Sequence, residues 1–191
     1  ALTHLIKYRL GLDEAQTQTT QYERDCISRY AVGKLRAVEI GVFEGVTTGV
    51  IASALPEGAE LFGVDPFIAG RAGICWGKSI ATKEAYHFKP RCHISFVEEF
   101  SHEASLKIDG TFDFVFIDGD HSLQGIIQDW DDWSARVDAG GIIALHDTVV
   151  PAHNPNVANL GSHRYFLDHI QHDDRFEIIE QVDSLSILRR K

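Results

Sequence analysis

The sequence predicts an α/β fold: a doubly wound, mostly parallel seven-stranded sheet with helices on both faces and an antiparallel C-terminal hairpin. Three observations carry this. From Phe112 to Thr148 the apolar period switches from strand to helix and back to strand, the pattern of a βαβ unit. An earlier apolar run ends in a turn holding Gly41 and Gly45, after which Val46, Val50, Ile51 and Leu55 recur at helical spacing. The last two apolar runs are joined by Asp183-Ser184 alone, too short for anything but a hairpin.

In chain order, residues 1–34 form an N-terminal helical segment and residues 35–191 the main domain. Asp13 to Val32 is polar, with Tyr22, Cys26, Ile27 and Tyr30 at helical spacing, and is expected to cover one end of the domain. Leu35–Ile40 is the first strand, and its helix is stopped by Pro56 and Gly58. Glu60–Val64 is the second strand and ends at Asp65-Pro66. Gly70, Gly73 and Gly77 surround Trp76 in a stretch that reads either as a lid or as a packed surface loop, followed by a helix over Ser79–Phe88. His93–Val97 is the third strand, with Ser101 capping the helix after it or touching a ligand. Phe112–Ile117, a helix over Ser122–Val137, a turn at Gly140-Gly141 and Ile142–Leu145 form the βαβ unit. A Pro- and Asn-rich loop follows, then a helix over Val157–His172 weakened by Gly161. Strands Phe176–Val182 and Leu185–Leu188 close the sheet, and Arg189-Arg190-Lys191 reads as a solvated tail.

Composition narrows the function classes. Lys and Arg total 18 against 28 Asp and Glu, a net charge of −10, which disfavours nucleic acid and anionic membranes as partners. No apolar run approaches a membrane span. Three widely spaced cysteines (Cys26, Cys75, Cys92) suggest reduced thiols and a cytoplasmic protein.

The chemistry gathers at strand ends. Right-handed crossovers make the two strands of the βαβ unit parallel, so Asp118, Asp120, His121, His146, Asp147 and Thr148 meet at one sheet edge, where open α/β sheets bind ligands. Several carboxylates in one cleft need a cation or protons, and such oxygens suit a hard divalent ion. Gly41 and Gly45 permit close approach of backbone to a ligand, or serve only the turn. Asp65 lies 20 residues after Gly45, the placement of a carboxylate that binds a ribose diol. His146 precedes its acid and reads as structural, Asp120 as a ligand or as an orienter of His121, and Asp129, Asp131 and Asp132 as the solvated face of a helix. His153 and His163 are weaker candidates for substrate contacts.

The run Val38-Glu39-Ile40-Gly41-Val42-Phe43-Glu44-Gly45, with Asp65 and the acidic βαβ unit, resembles the class I S-adenosylmethionine-dependent methyltransferases, Rossmann-like enzymes, across roughly residues 35 to 190. It departs from the commonest motif, which has a glycine where Phe43 stands. The resemblance implies that Gly41 and Gly45 border the methionine moiety, with Thr47 beside them, that Glu39 orients the site, that Asp65 holds the ribose and that Ser101 lies near the adenine. Asp118-Gly119-Asp120-His121 and His146-Asp147-Thr148 are similar to the metal site of catechol and caffeoyl-coenzyme A O-methyltransferases, and of related sugar and antibiotic enzymes. This implies a Mg²⁺ ion on Asp118, Asp147 and Thr148, with Thr148 where the family has Asn. His121 then stands as the base where the catechol enzymes have Lys, and a hydroxyl of a small molecule (a sugar, a phenol or a natural-product intermediate) as the acceptor. A nicotinamide-dependent oxidoreductase would not need the paired Asp118 and Asp147. A metal-dependent hydrolase would leave Gly41 and Asp65 unexplained, and a non-catalytic cofactor-binding module the acids. The acceptor itself and the oligomeric state, with a homodimer through the N-terminal segment as one possibility, stay open at this level.

Overall fold

A computed structural model describes residues 2–69 and 75–191. Helices α1 (Leu2–Arg9) and α2 (Gln21–Ala31) precede β1 (Arg36–Ile40), α3 (Val46–Ala54) and β2 (Glu60–Val64). Then come α4 (Trp76–Ala85), β3 (His93–Val97), α5 (Ser101–Lys107), β4 (Phe112–Ile117), α6 (Leu123–Ser134) and β5 (Val137–Leu145). A 3₁₀ turn (Pro155–Asn159), α7 (Gly161–Asp168), a second 3₁₀ turn (Ile170–His172), β6 (Phe176–Val182) and β7 (Leu185–Arg190) complete the chain. The seven strands lie in the order β3-β2-β1-β4-β5-β7-β6. The first five are parallel; β7 runs antiparallel to both β5 and β6. The predicted fold class holds, and so does each strand to within a few residues.

Both faces of the sheet are covered. On one, Cys26, Ile27 and Ala31 of α2 pack with Ile51, Phe114, Phe116 and Ile187. On the other, Ile126, Trp130 and Trp133 of α6 pack with Phe112, Val115 and Ile143. Strands buried on both sides read as continuous apolar runs, which is why they were legible. Helix α2 starts at a capping box: the Thr20 hydroxyl accepts from the Glu23 N–H, and the Glu23 carboxylate accepts from the Thr20 N–H. Residues 2–9, without a clear pattern in sequence, form α1 through burial of Leu5 and Tyr8 against Ile80.

Five expectations need correction. The helix of the βαβ unit stops at Ser134, and β5 begins at Val137. Gly140-Gly141 is a bulge inside β5, where Phe112 pairs Val137 but Phe114 pairs Ile142. The helix expected over 157–172 is broken into three because Gly161 packs against the start of α6; a Cβ there would sit 2.0 Å from the Leu123 nitrogen. The basic C-terminus is not a solvated tail, since β7 continues to Arg190, whose guanidinium donates to the Ser134 and Ala135 carbonyls at the end of α6. The helix expected over Ser79–Phe88 is displaced to Trp76–Ala85, and the lid expected around Gly70 and Gly73 falls outside the described residues. Among the described residues all three cysteines are free thiols, and no helix is long and apolar enough to cross a membrane.

Candidate active site

The carboxyl ends of β1, β2, β3 and β4 open onto a cavity of about 550 Å³. Gly41, Thr47, Asp65, Ser101 and Asp118 line it, as the sequence anticipated, with Asp120 and His121 at one end. The glycine turn is built for close approach. Gly41 has φ 88°, and a Cβ there would lie 2.1 Å from the Asp118 carbonyl, so no other residue fits between β1 and β4. Phe43 takes φ 53°, the left-handed conformation that a glycine adopts at little cost, which accounts for the glycine usual at this place. Asp65 stabilises the turn directly: Oδ2 accepts from the Val42 and Phe43 N–H groups at 3.1 and 3.0 Å, and Oδ1 from Phe67 at 2.7 Å. Of the roughly four acceptor sites of a carboxylate one is left, on Oδ1, so a ribose hydroxyl can still be accepted there.

Two anticipated residues lie beneath the cavity rather than in it. Gly45 faces α4, where a Cβ would meet the Ala81 backbone at 2.6 Å. Glu39 is fully buried, accepts from the Thr48 hydroxyl and leaves Oε1 without a partner. Burial pushes its pKa well above the ordinary carboxylate value; the Thr48 contact opposes this and the charges of Asp118 and Asp65 add to it. Burial thus favours the neutral form of Glu39. Ser101 does not cap α5, a place taken by Phe100, and its hydroxyl instead accepts from the Trp133 indole at 2.9 Å.

At the end of β4 and β5 the acids come together. Asp118, His121 and Asp147 place donor atoms within 4.8 Å of one another, the only such group of three among the described residues. His121 Nδ1 lies 3.3 Å from Asp147 Oδ2, and Nε2 lies 3.9 Å from Asp118 Oδ1. Asp147 has φ 54°, a left-handed turn that Asp tolerates and that re-aims the chain after β5. That turn removes Thr148 from the cluster. Its hydroxyl is 1% exposed, 2.7 Å from Ser186 Oγ and 3.1 Å from the Ser184 carbonyl, so the third oxygen expected from Thr148 is spent on β7. Two carboxylates and an imidazole still suit a divalent cation, with the nitrogen shifting the preference from Mg²⁺ toward Mn²⁺ or Fe²⁺.

His146 is buried behind the acids, its Nδ1 3.0 Å from Asp118 Oδ1 and its Nε2 3.3 Å from Glu23 Oε2. Burial alone pulls its pKa down, but Asp118, Glu23 and Asp147 outweigh this and hold it well above the ordinary histidine value. Glu23 also feels burial, which would raise its pKa, but His146, Ser184 and Thr20 bring it down to about 2. The carboxylates around His146 thus favour its protonated form. Asp120 accepts from the Ser122 N–H and hydroxyl at 2.9 Å each, at the start of α6. His163 Nδ1 contacts the Thr148 carbonyl at 2.7 Å, and His153 is exposed; neither lines the cavity.

Sequence reasoning missed two contributors. Gln16, Thr17 and Gln18, ahead of α2, line the cavity. Asp129, expected on a solvated face, is 4% exposed and faces the cavity beside Ser101. Burial raises its pKa to about 6, with the Ser101 hydrogen bond opposing. Ile126, Asp129, Trp130 and Trp133 lie at i, i+3, i+4 and i+7, one face of a helix, a spacing that turns Asp129 inward once the two tryptophans are packed.

The model of a methyltransferase domain family matches residues 38–148, more than half of the chain. An uncharacterized protein R132 of Acanthamoeba polyphaga mimivirus is 28% identical over 145 residues, which is 69% of this chain. The match spans 63% of the viral protein's length. Among solved structures, an O-methyltransferase from Bacillus cereus in complex with SAH has a TM-score of 0.66 at 17% identity, covering 97% of this chain and 87% of that one. The O-methyltransferase TomG of Streptomyces achromogenes, involved in tomaymycin synthesis and solved with SAM, has a TM-score of 0.65 at 15% identity, covering 100% of this chain and 88% of that one. These likenesses show the fold, and the match over β1 to β5, which contains the glycine turn, Asp65 and both acids, shows that the chain belongs to the methyltransferase domain family.

Proposed function

We propose that the chain is an S-adenosylmethionine-dependent O-methyltransferase acting on a hydroxyl of a small molecule. The observation that carries this is continuity: the cavity bordered by the Gly41 turn and Asp65 runs directly to Asp118 and His121. Asp65 accepts from a ribose hydroxyl, and Gly41 lets the methionine moiety approach the turn. The acceptor enters at the acidic end, where its oxygen can line up with the methyl carbon and the sulfur. Such alignment supplies much of the rate in methyl transfer. The oxygen attacks the methyl carbon, the carbon–sulfur bond breaks with its electrons going to sulfur, and neutral S-adenosylhomocysteine leaves. The hydroxyl proton goes to a ring nitrogen of His121, at the acidic end of the cavity. Asp118 and Asp147 would hold a divalent cation, leaving the basic nitrogen of His121 for the proton. When bound, it would lower the pKa of the acceptor hydroxyl. Leu160 and Asn159, from the loop after β5, border a groove beside His121 and Asp120, a place for the acceptor's body. Free thiols and net negative charge support a cytoplasmic enzyme without nucleic acid as substrate.

Calorimetric titration with S-adenosylhomocysteine tests the reading, with and without a divalent cation. Wild type binds the nucleoside. Asp65→Ala weakens binding at least about 100-fold, since both the ribose contact and the turn are lost. Asp118→Asn keeps the nucleoside and loses the cation. Binding of a nicotinamide dinucleotide in place of the nucleoside would overturn the proposal.

A further inference from the structure

Glu23 belongs to the N-terminal segment, yet it is tied through His146 to the acids at the ends of β4 and β5. It is 1% exposed in the first turn of α2. Oε1 accepts from the Ser184 N–H at 2.9 Å and from its hydroxyl at 2.7 Å. Oε2 accepts from the Thr20 N–H at 2.7 Å and lies 3.3 Å from His146 Nε2. On the other side of the ring, Nδ1 lies 3.0 Å from Asp118 Oδ1 and 3.6 Å from Asp147 Oδ1. One imidazole therefore spans the distance from α2 to both acids, with each nitrogen engaged. Asp147 keeps its second oxygen, Oδ2, turned toward His121.

Capping alone does not account for this residue. A glutamine serves the N3 position of a capping box as well as a glutamate does. A carboxylate buried this deeply is expensive unless a specific partner compensates it. The compensating partners are Ser184 and His146, and His146 leads to the acids. An imidazole anchored at Nε2 has its ring plane and tautomer set, which fixes the direction in which Nδ1 points.

We propose that Glu23 is a positioning residue of the catalytic site, setting the placement of Asp118 and Asp147 through His146. The N-terminal segment thereby contributes to the acid cluster as well as to the cavity wall. The inference rests on the reading of Asp118, His121 and Asp147 as the acceptor-side site, and the test separates the two.

The experiment uses the full chain with Mn²⁺ alone as the cation probe, S-adenosylhomocysteine as the nucleoside probe, and ¹⁵N signals of the His146 ring. Glu23→Gln keeps the capping box. It is expected to leave nucleoside affinity within about twofold, to weaken Mn²⁺ binding by about 10–100-fold, and to shift the His146 nitrogens. Glu180→Gln is the control: Glu180 holds the other end of α2 through Arg29 at 2.9 Å, remote from His146, and its loss should lower the melting temperature only. If Glu23→Gln behaves like Glu180→Gln, with Mn²⁺ affinity and His146 signals unmoved, the proposal is overturned. If wild type takes up no Mn²⁺, the cation reading falls, and the His146 signals decide alone: a shift in Glu23→Gln upholds the link and its absence overturns it.

Discussion

Asp129 illustrates what a ligand cavity costs the residues around it. Its pKa in the folded chain, about 6, stands above the ordinary 3.8 because burial disfavours the charge. Between those two pH values the folded state holds the proton more tightly than the unfolded state. Stability therefore falls as pH rises through the window, and the loss is complete above it. A difference of about two pKa units corresponds to roughly 3 kcal/mol as an upper figure. Asp129→Asn should be more stable than wild type at pH 7 by up to about 3 kcal/mol, with the gain vanishing below pH 4. Urea unfolding at the two pH values checks this; equal differences at both would show that the carboxylate is not the source. The direction of Asp129 was not stated plainly by its neighbourhood, Asp129-Trp130-Asp131-Asp132, where three acids look alike. Which one turns inward depends on how α6 rolls against the sheet, and Trp130 and Trp133 settle that only once they are packed. Thr148 was hidden for a different reason. A single left-handed residue, Asp147, reverses the direction of the next side chain, and side-chain alternation cannot register such a reversal.

At the scale of elements, the acid-bearing loop is held by the contact of two helix starts. The Gly161 N–H donates to the His121 carbonyl at 2.8 Å, and the first turn of α7 lies against the first turn of α6. No side chain can be accommodated there without separating the helices. Gly161→Ala should cost about 3 kcal/mol or more and displace His121. Thermal unfolding and Mn²⁺ affinity should fall together, and a variant with unchanged melting would refute the contact. In sequence, Gly161 read only as a helix weakener, since propensity records the flexibility of glycine but not the neighbour that requires it. Apart from β5, whose first half read as helix and turn, the strands were by contrast legible to within two residues. Apolar runs that stop abruptly at Asp65 and Asp118 mark both the element and the ligand edge, and the two signals reinforce each other.

At the scale of the molecule, the N-terminal segment is a layer of the fold. Cys26, Ile27 and Ala31 of α2 share one core with the sheet, and Gln16 to Gln18 wall the cavity. Removing residues 1–31 exposes apolar surface worth several kcal/mol, against a total stability of about 5–15 kcal/mol for a typical domain. The shortened chain is expected to show no cooperative unfolding transition by scanning calorimetry. A sharp transition near that of the full chain would mean that residues 35–191 fold alone.

The position of β7 bears on how the protein is made. This strand, near the end of the sequence, enters between β5 and β6, and Ser184 in the turn before it holds both Glu23 and His146. On the ribosome, every residue that would touch cofactor or acceptor is therefore synthesised before the strand that sets it in place. Until β7 arrives, β5 presents a bare apolar edge open to pairing with other chains. The nascent protein has a stage at which its ligand-handling residues exist without a site, and β7 turns them into one.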